Sequence, residues 1–228
     1  MTIRDVAAAA GVHVSTVSRA LDPGKRSLIS AEVLHAVEQA AKRLGYRPNR
    51  SASALRTGRT RTIGVLVPDI TNAVFPPILQ GIEAAAAARG YFVFVANVED
   101  AAQARPLVER MLAQQVDGLI SAIAQRGDDP IADFVLSAGL ATVLVNRADE
   151  SGRLCAVVSD DRLAMKLAVD HLVALGATRL AHLAGPQEIP TGVARRQGFE
   201  QALRDAGLAP CGLQTCEKYS RAAGRDAM

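Results

Sequence analysis

The stretch IRDVAAAAGVHVSTVSRALD, residues 3–22, predicts two short helices joined by a tight turn. The first helix is expected over residues 3–10, with Thr2 in the capping position before it. Gly11 breaks this helix, and a second one is expected over residues 14–21. This is a helix-turn-helix pattern, although an ordinary helical hairpin with one solvated face would also show it.

Apolar spacing assigns one face of each helix to packing and the other to solvent. The side chains expected to face the partner helix are Val6, Ala9, Ala10, Val12, Val17 and Leu21. The opposite face of the second helix carries Val14, Ser15, Ser18 and Arg19. Small hydroxyls followed by an arginine suit a DNA major groove, where arginine can pair with the edge of a guanine. We therefore predict that Val14, Ser15 and Arg19 read bases.

Four segments in fixed order carry a family resemblance: DVAAAAGV, STVSRALD, GYRPN and ALRTGRT, all within the first sixty residues. They resemble the DNA-binding region of the lactose-repressor (LacI/GalR) family of bacterial transcription regulators. The resemblance implies further contacts to the DNA backbone from Thr2, Thr16 and Ser18. This sequence departs from the family at His13, where a serine is usual, and in a slightly longer turn over residues 23–28.

Residues 30–44 predict a third helix, capped by Ser30 and ended by Gly45. Its apolar stripe would close a small three-helix core, with Tyr46 folding back onto it. We expect residues 1–46 to form an all-α headpiece.

Residues 47–61, RPNRSASALRTGRTR, predict a basic linker with a short helical piece. Such a helix is too short to be stable alone in water. The resemblance implies a hinge helix that orders on DNA, pairs with its twin in a dimer and wedges Leu55 into the minor groove. It assigns DNA contacts in this hinge to Asn49, Arg50, Ala52 and Leu55. A flexible basic linker is the alternative.

Charge is distributed unevenly along the 228 residues. The net charge is +3, but residues 1–61 hold eleven Lys/Arg against four Asp/Glu, a net of +7. The remainder holds fifteen against nineteen, a net of −4. A basic head on a mildly acidic body indicates a polyanion partner for the head alone. Within the linker we expect phosphate attraction from Arg47, Arg50, Arg56, Arg59 and Arg61.

The composition also limits the setting in which the protein works. No apolar run reaches membrane-spanning length, and the N-terminus predicts a folded helix rather than a signal peptide. Cys155, Cys211 and Cys216 are an odd number without metal-site spacing, which favours reduced thiols. We expect a cytoplasmic protein with no membrane partner.

From Thr62 onward, strands and helices alternate. The expected strands are TIGVLVPD, YFVFVANV, VDGLISAI, ATVLVNR, CAVVSDD and RLAHLAG, with helices of ten to fifteen residues between most of them. This order predicts a doubly wound α/β domain, in which ligands bind at the carboxyl ends of the strands. The same part of the chain resembles the periplasmic-binding-protein-like effector core of the LacI/GalR family.

The resemblance places effector contacts at Phe75, Asn146, Asp160 and Arg195. An aromatic ring with amides and charges would suit a sugar-like or nucleoside-like effector. Each residue also has a plainer explanation, since Phe75 could be a core residue, Asp160 a helix N-cap and Arg195 part of an exposed turn.

Motifs for catalysis are absent. The sequence has no G-x-S-x-G, G-x-G-x-x-G or Walker segment. The pairs Asp128–Asp129 and Asp160–Asp161 are better explained as charges at helix starts than as acid–base catalysts. We expect no enzyme activity, no cofactor and no metal.

The expected organisation is a helix-turn-helix domain over 1–46, a hinge over 47–61, an effector N-subdomain over 62–160 and a partial C-subdomain over 161–228. Family members continue further, so we expect a truncated chain with an incomplete second lobe. The leading hypothesis is a transcription regulator, acting as a repressor, that binds palindromic double-stranded operator DNA as a homodimer under control of the effector. The alternatives are a sugar-binding protein of the periplasmic fold, a doubly wound enzyme and a non-functional remnant.

Overall fold

The structure, a computed structural model, describes residues 1–22, 24–47 and 58–228. The chain forms two compact units, Met1–Gly58 and Arg59–Met228, which are called the N-terminal and C-terminal units below. The predictions for Asn49, Arg50, Ala52, Leu55 and Arg56 fall outside the described residues. The predicted subdivision at residues 46, 61 and 160 stays a prediction.

The N-terminal unit contains the three predicted helices. They run over Ile3–Ala10 (α1), Val14–Ala20 (α2) and Ala31–Arg43 (α3), with a short 3-10 turn at Arg26–Leu28. Gly11 ends α1 in the left-handed conformation at φ 65°, which a glycine adopts without steric cost. The Ser30 hydroxyl accepts a hydrogen bond from Val33 N–H and caps α3 as predicted.

The core of this unit is small and tightly closed. Seven side chains from all three helices are buried: Val6, Ala7, Val17, Ala20, Val37, Ala40 and Ala41. Tyr46 packs against this cluster, as the sequence predicts. Burying each valine contributes roughly 1.5–3 kcal/mol relative to leaving it exposed.

Two assignments of helix faces were wrong. Ala9 is exposed and Ala7 is buried, because α1 packs through Ile3, Val6, Ala7 and Ala10, which follow the i, i+3, i+4, i+7 spacing of one helix face. Val14 is half-buried and packs against the core instead of lying on the open face of α2.

The C-terminal unit alternates strands and helices as predicted. Its strands are Thr62–Val67 (β1), Phe92–Asn97 (β2), Gly118–Ser121 (β3), Thr142–Val145 (β4), Cys155–Val157 (β5), Ala181–Ala184 (β6) and Gly212–Thr215 (β7). Its helices are Phe75–Ala87 (α4), Ala101–Ala113 (α5), Pro130–Ser137 (α6), Asp161–Ala174 (α7), Pro190–Asp205 (α8) and Arg221–Asp226 (α9). Among the described residues, no helix is long and apolar enough to cross a membrane.

Five of the strands form one parallel sheet in the order β2-β1-β3-β4-β5. In its register, Ile63 of β1 lies opposite Val93 of β2 and Gly118 of β3. The direction of winding reverses at β1, so the carboxyl ends of β1 and β3 flank the switch point at which such sheets bind ligands. The strands β6 and β7 form a separate parallel pair.

Alternate residues of β1 face opposite layers of the C-terminal unit. Leu66 packs with Val108 and Met111 of α5. Val65 and Val67 point the other way and pack in a second cluster with Phe75 of α4. Both layers are therefore apolar along this strand, which explains its nearly continuous hydrophobic sequence.

The β6–β7 sheet packs with α7 and α8. Its core consists of Val169, Leu180, Phe199, Ala202 and Leu203. Helices α7 and α8 approach so closely that a Cβ atom at Gly198 would lie 2.9 Å from the Arg162 Cα atom. A glycine is therefore required at this crossing.

The Asp149 carboxylate anchors the loop after β4. It is 5% exposed and accepts hydrogen bonds from the backbone N–H groups of Ser151 and Arg153, both at 3.2 Å, and from the Ser151 hydroxyl. Burial opposes the charge, but these hydrogen bonds outweigh it and hold the pKa of Asp149 below its ordinary value.

A lowered pKa makes Asp149 a source of acid sensitivity. Its contribution to stability is present above the unfolded pKa of about 3.9 and is lost as the pH falls through the lower folded value. Asp149→Asn is expected to lower the free energy of unfolding at pH 7 by about 1–3 kcal/mol and to lose less between pH 7 and pH 3 than wild type. Urea midpoints at both pH values test this, with the exposed Asp128→Asn as the matched control. Parallel pH curves for wild type and Asp149→Asn would contradict the assignment.

Candidate DNA-contacting and ligand-binding sites

The open face of α2 presents Ser15 and Arg19. Both side chains are exposed, and their four-residue separation puts them one helical turn apart on one face. Thr16 and Ser18 are half-buried, so less of each side chain is accessible. Val14 is half-buried as well, and its packing leaves Ser15 and Arg19 as the outward pair.

His13 caps α2 in place of the serine that is usual in the family. Its Nδ1 atom accepts a hydrogen bond from the Ser15 backbone N–H at 3.3 Å and lies 2.8 Å from Ser15 Oγ. An imidazole therefore supplies the cap of α2 at this position.

Thr2 is exposed at the start of α1. Its backbone N–H donates to the Asp5 carboxylate at 2.6 Å, and this hydrogen bond lowers the pKa of Asp5. The Asp5 charge thus stays on the first turn, where it suits the helix dipole.

Arg61 enters the C-terminal unit with a left-handed backbone at φ 54°. Its backbone N–H donates to Asp117 Oδ2 at 3.1 Å, and Thr60 N–H donates to Oδ1 of the same carboxylate at 2.9 Å. Asp117 therefore fixes the chain immediately before β1.

A cavity of about 150 Å³ lies at the carboxyl ends of the five-stranded sheet. Its walls come from the segments after β1, β2, β3 and β4 and from the start of α6. The polar residues among its lining are Glu99, Gln125, Asp129 and Arg147. The position agrees with the switch point that the strand order defines.

Arg147 is the cationic residue of this cavity. It lies two residues after the end of β4 and is half-buried, and its Nε atom is buried without a hydrogen-bond partner among the described residues. Burial lowers the pKa of the Arg147 guanidinium, an effect that Tyr219 partly opposes. An arginine remains protonated at neutral pH, so the wall of the cavity carries one guanidinium beside the carboxylates of Glu99 and Asp129.

The Asp129 carboxylate in the same wall already accepts hydrogen bonds from the backbone. It accepts hydrogen bonds from the backbone N–H groups of Gln125, Ile131 and Ala132 at 2.9–3.1 Å, and it caps α6. The interpretation of this aspartate as a helix-start charge is confirmed.

The predicted effector residue Arg195 lies on α8 in a paired position. Its Nε donates to Asp161 Oδ1 at 2.7 Å, and its guanidinium lies 5.5 Å from the centre of the Tyr219 ring. Burial lowers the pKa of Arg195, but the pairing with Asp161 outweighs it and the pKa is raised. Tyr219 in turn covers Gly185, where a Cβ atom would lie 2.2 Å from the ring.

The other predicted effector residues lie in different surroundings. Phe75 is 2% exposed and packs in the core with Val65 and Val67. Asn146 is half-buried in the left-handed region at φ 66°, and its backbone N–H donates to Val157. Asp160 is exposed and caps α7 by accepting from Leu163 N–H at 2.9 Å. None of these three lines the 150 Å³ cavity within the described residues, and their effector roles stay predictions.

Arg126 joins the loop after β3 to the loop after β6. Its Nε contacts Glu150 at 2.6 Å, its Nη1 donates to Gln187 O at 3.2 Å and its backbone N–H donates to Glu188 O at 3.2 Å. These contacts hold the ends of the two sheets beside each other.

Sequence reasoning did not select Arg147 or Tyr219 for a ligand role. Arg147 had a usable signal, because it is the last residue of the predicted strand ATVLVNR, and polar residues at strand ends meet at the ligand edge of a parallel sheet. Tyr219 had none, because nothing in its neighbourhood indicates that its ring lies beneath Arg195.

The geometry defines a class of protein with a small helix-turn-helix unit and a doubly wound α/β unit whose cavity lies at its strand ends. Residues 2–49 match the family of bacterial regulatory proteins, lacI family, and residues 60–224 match the family of periplasmic binding proteins and sugar binding domain of LacI family. The chain belongs to the LacI family, whose members are transcription regulators rather than enzymes.

Individual proteins agree with this assignment. The HTH-type transcriptional regulator GalS of Salmonella typhimurium is 34% identical over 92% of this chain and 61% of its own length. The lac repressor dimer bound to operator and the anti-inducer ONPF has a TM-score of 0.82 at 28% identity, over 98% of this chain and 67% of its own. The complex of the transcriptional regulator CelR with cellobiose has a TM-score of 0.67 at 29% identity, over 100% and 68%. The chain spans about six tenths of the length of the first curated relatives, 61% and 62%.

Proposed function

We propose that this chain is a sequence-specific DNA-binding transcription regulator, acting as a repressor in the cytoplasm. It binds a palindromic operator as a homodimer, and a small sugar-like effector sets its affinity. The observation that carries the proposal is the exposed Ser15–Arg19 face of α2, in a unit that matches the LacI-family regulatory domain.

The charge of the N-terminal part supports the DNA-binding half of the proposal. Its net of +7 over residues 1–61 suits a polyanion, whereas the remainder is mildly acidic. Arg19 offers a planar fork of donors that matches the O6 and N7 acceptors of guanine. The lac repressor dimer, a structural relative, is bound to operator DNA.

The cavity supports the effector half. The buried Nε of Arg147 has no hydrogen-bond partner in the described part of the chain, so it can donate to a hydroxyl or an anionic group of a ligand. Glu99 and Gln125 add polar groups to the wall. Polyhydroxylated ligands need several convergent polar groups of this kind. The relative CelR was solved with cellobiose, which makes sugars the first ligands to test.

The test is selection of duplexes from a randomised library by the purified 228-residue chain. A repressor of this family is expected to enrich an inverted repeat. Enrichment of no sequence would overturn the proposal and favour the alternative, a sugar-binding protein without a DNA partner. Titration of the selected operator in the presence of cellobiose and other mono- and disaccharides then tests the effector.

Salt dependence separates phosphate contacts from base reading. Arg50→Ala and Arg56→Ala are each expected to flatten the slope of log K against log salt by about 0.9. The reason is that DNA binding releases about one counterion fewer when one phosphate contact is missing. The base preference should not change. The exposed Arg110→Ala on α5 is the control of equal charge change. An intact slope with an altered base preference would reverse the assigned roles.

A further inference from the structure

The His13 imidazole and the Ser15 hydroxyl form a hydrogen-bonded pair on the surface of the N-terminal unit. His13 Nδ1 lies 2.8 Å from Ser15 Oγ and 3.3 Å from the Ser15 backbone nitrogen. Both residues are exposed, whereas Val14 between them packs against the helical core. The pair is thus held in place by a half-buried neighbour and is exposed on its outer side.

These contacts determine where the protons lie. A backbone N–H can only donate, so His13 Nδ1 must offer a lone pair, and the neutral ring carries its proton on Nε2. The Ser15 hydroxyl shares this lone pair with the backbone N–H, and it can make its 2.8 Å contact only by donating its own hydrogen to Nδ1. Its oxygen retains lone pairs for an outside partner but no hydrogen.

We infer that His13 sets the base preference of Ser15 by holding the hydroxyl as a hydrogen-bond acceptor. This inference rests on the proposed DNA-binding function. In the major groove the donors are the amino groups of adenine and cytosine, whereas guanine and thymine present acceptors. A serine hydroxyl that can rotate pairs with either kind of edge. With its hydrogen committed to His13, Ser15 selects a base that carries an amino group.

The neighbouring Arg19 makes this selection visible as a separate feature of the operator. Its guanidinium has donors only and therefore selects guanine. Ser15 lies one helical turn away and faces a different base. Each half-site should therefore combine a guanine read by Arg19 with an adenine or cytosine read by Ser15.

The experiment compares duplex selection by the full chain, Ser15→Ala, His13→Ala, His13→Ser and the double variant His13→Ala/Ser15→Ala. Ser15→Ala identifies the position that Ser15 reads. At that position the wild type should enrich adenine or cytosine about 2- to 10-fold, the discrimination expected of one hydrogen bond. His13→Ala should lose this preference, and the double variant should lose no more than Ser15→Ala alone.

His13→Ser separates base selection from helix capping. A serine can cap α2, so this variant should melt at the wild-type temperature and still lose the preference at the Ser15 position. If His13→Ser keeps that preference, or if His13→Ala weakens all sequences equally, His13 is only a cap and the inference is overturned. Enrichment of guanine or thymine at the Ser15 position by wild type would also overturn it. Failure of the wild type to enrich any sequence would instead reject the proposed function, and this inference with it.

Discussion

Arg19→Ala is expected to remove the preference for one base pair in each operator half-site, at a cost of about 1–3 kcal/mol per half-site. Arg19 lies in the last turn of α2 and is exposed. Within the described residues its guanidinium takes part in none of the ion pairs of the chain. It is therefore available for a bidentate contact without breaking an internal one.

The measurement is a comparison of base preferences and affinities on the selected operator and on its single-base variants. An operator that is changed at the base pair read by Arg19 should bind Arg19→Ala as tightly as the original operator does. Wild type should bind the changed operator more weakly than the original. Arg110→Ala, which removes an exposed charge of the same sign from the C-terminal unit, should keep the wild-type preference. If Arg19→Ala weakens all duplexes equally, Arg19 contacts phosphate and does not read a base.

Local signals made the secondary structure predictable. Gly11 marks the end of α1 by its backbone freedom, and Ser30 marks the start of α3 by its capping oxygen. The helix α1 is found over the predicted residues. The buried faces of the helices were harder to predict, because α1 contains four consecutive alanines and composition alone does not show which of them is buried. The choice of Ala7 over Ala9 depends on the phase set by Ile3 and Val6.

The site of the C-terminal unit was only partly predictable. The alternation of strands and helices predicts a ligand site at the carboxyl ends of the strands, and the cavity lies there. The pairing of its arginines was not predictable. Over the residues that the structure describes, Arg147 Nε has no hydrogen-bond partner, whereas Arg195 pairs with Asp161, thirty-four residues earlier in the chain. Pairing of this kind depends on tertiary distances that spacing in sequence does not contain.

The difference between these two arginines leads to opposite effects on stability. Arg147→Met is expected to raise the free energy of unfolding of the ligand-free chain by about 1–3 kcal/mol, because it removes a buried donor that has no partner among residues 1–22, 24–47 and 58–228. Methionine retains a flexible apolar stem of similar length. Arg195→Met is expected to lower the free energy of unfolding by on the order of 1 kcal/mol, because it leaves Asp161, only 12% exposed, without its partner.

Urea unfolding of wild type and both variants, without ligand and with each sugar, distinguishes a loss of sugar binding from a loss of fold stability. Any sugar that raises the unfolding midpoint of wild type should raise its free energy of unfolding by RT ln(1 + [L]/Kd), and this increment should disappear in Arg147→Met although that variant is the more stable protein. The increment is the decisive quantity, because a mutation that only disturbed folding would lower both midpoints together. If Arg147→Met destabilises the ligand-free chain, the guanidinium is hydrogen-bonded within the protein. Arg147 is then a structural residue and not a hydrogen-bond donor to a ligand.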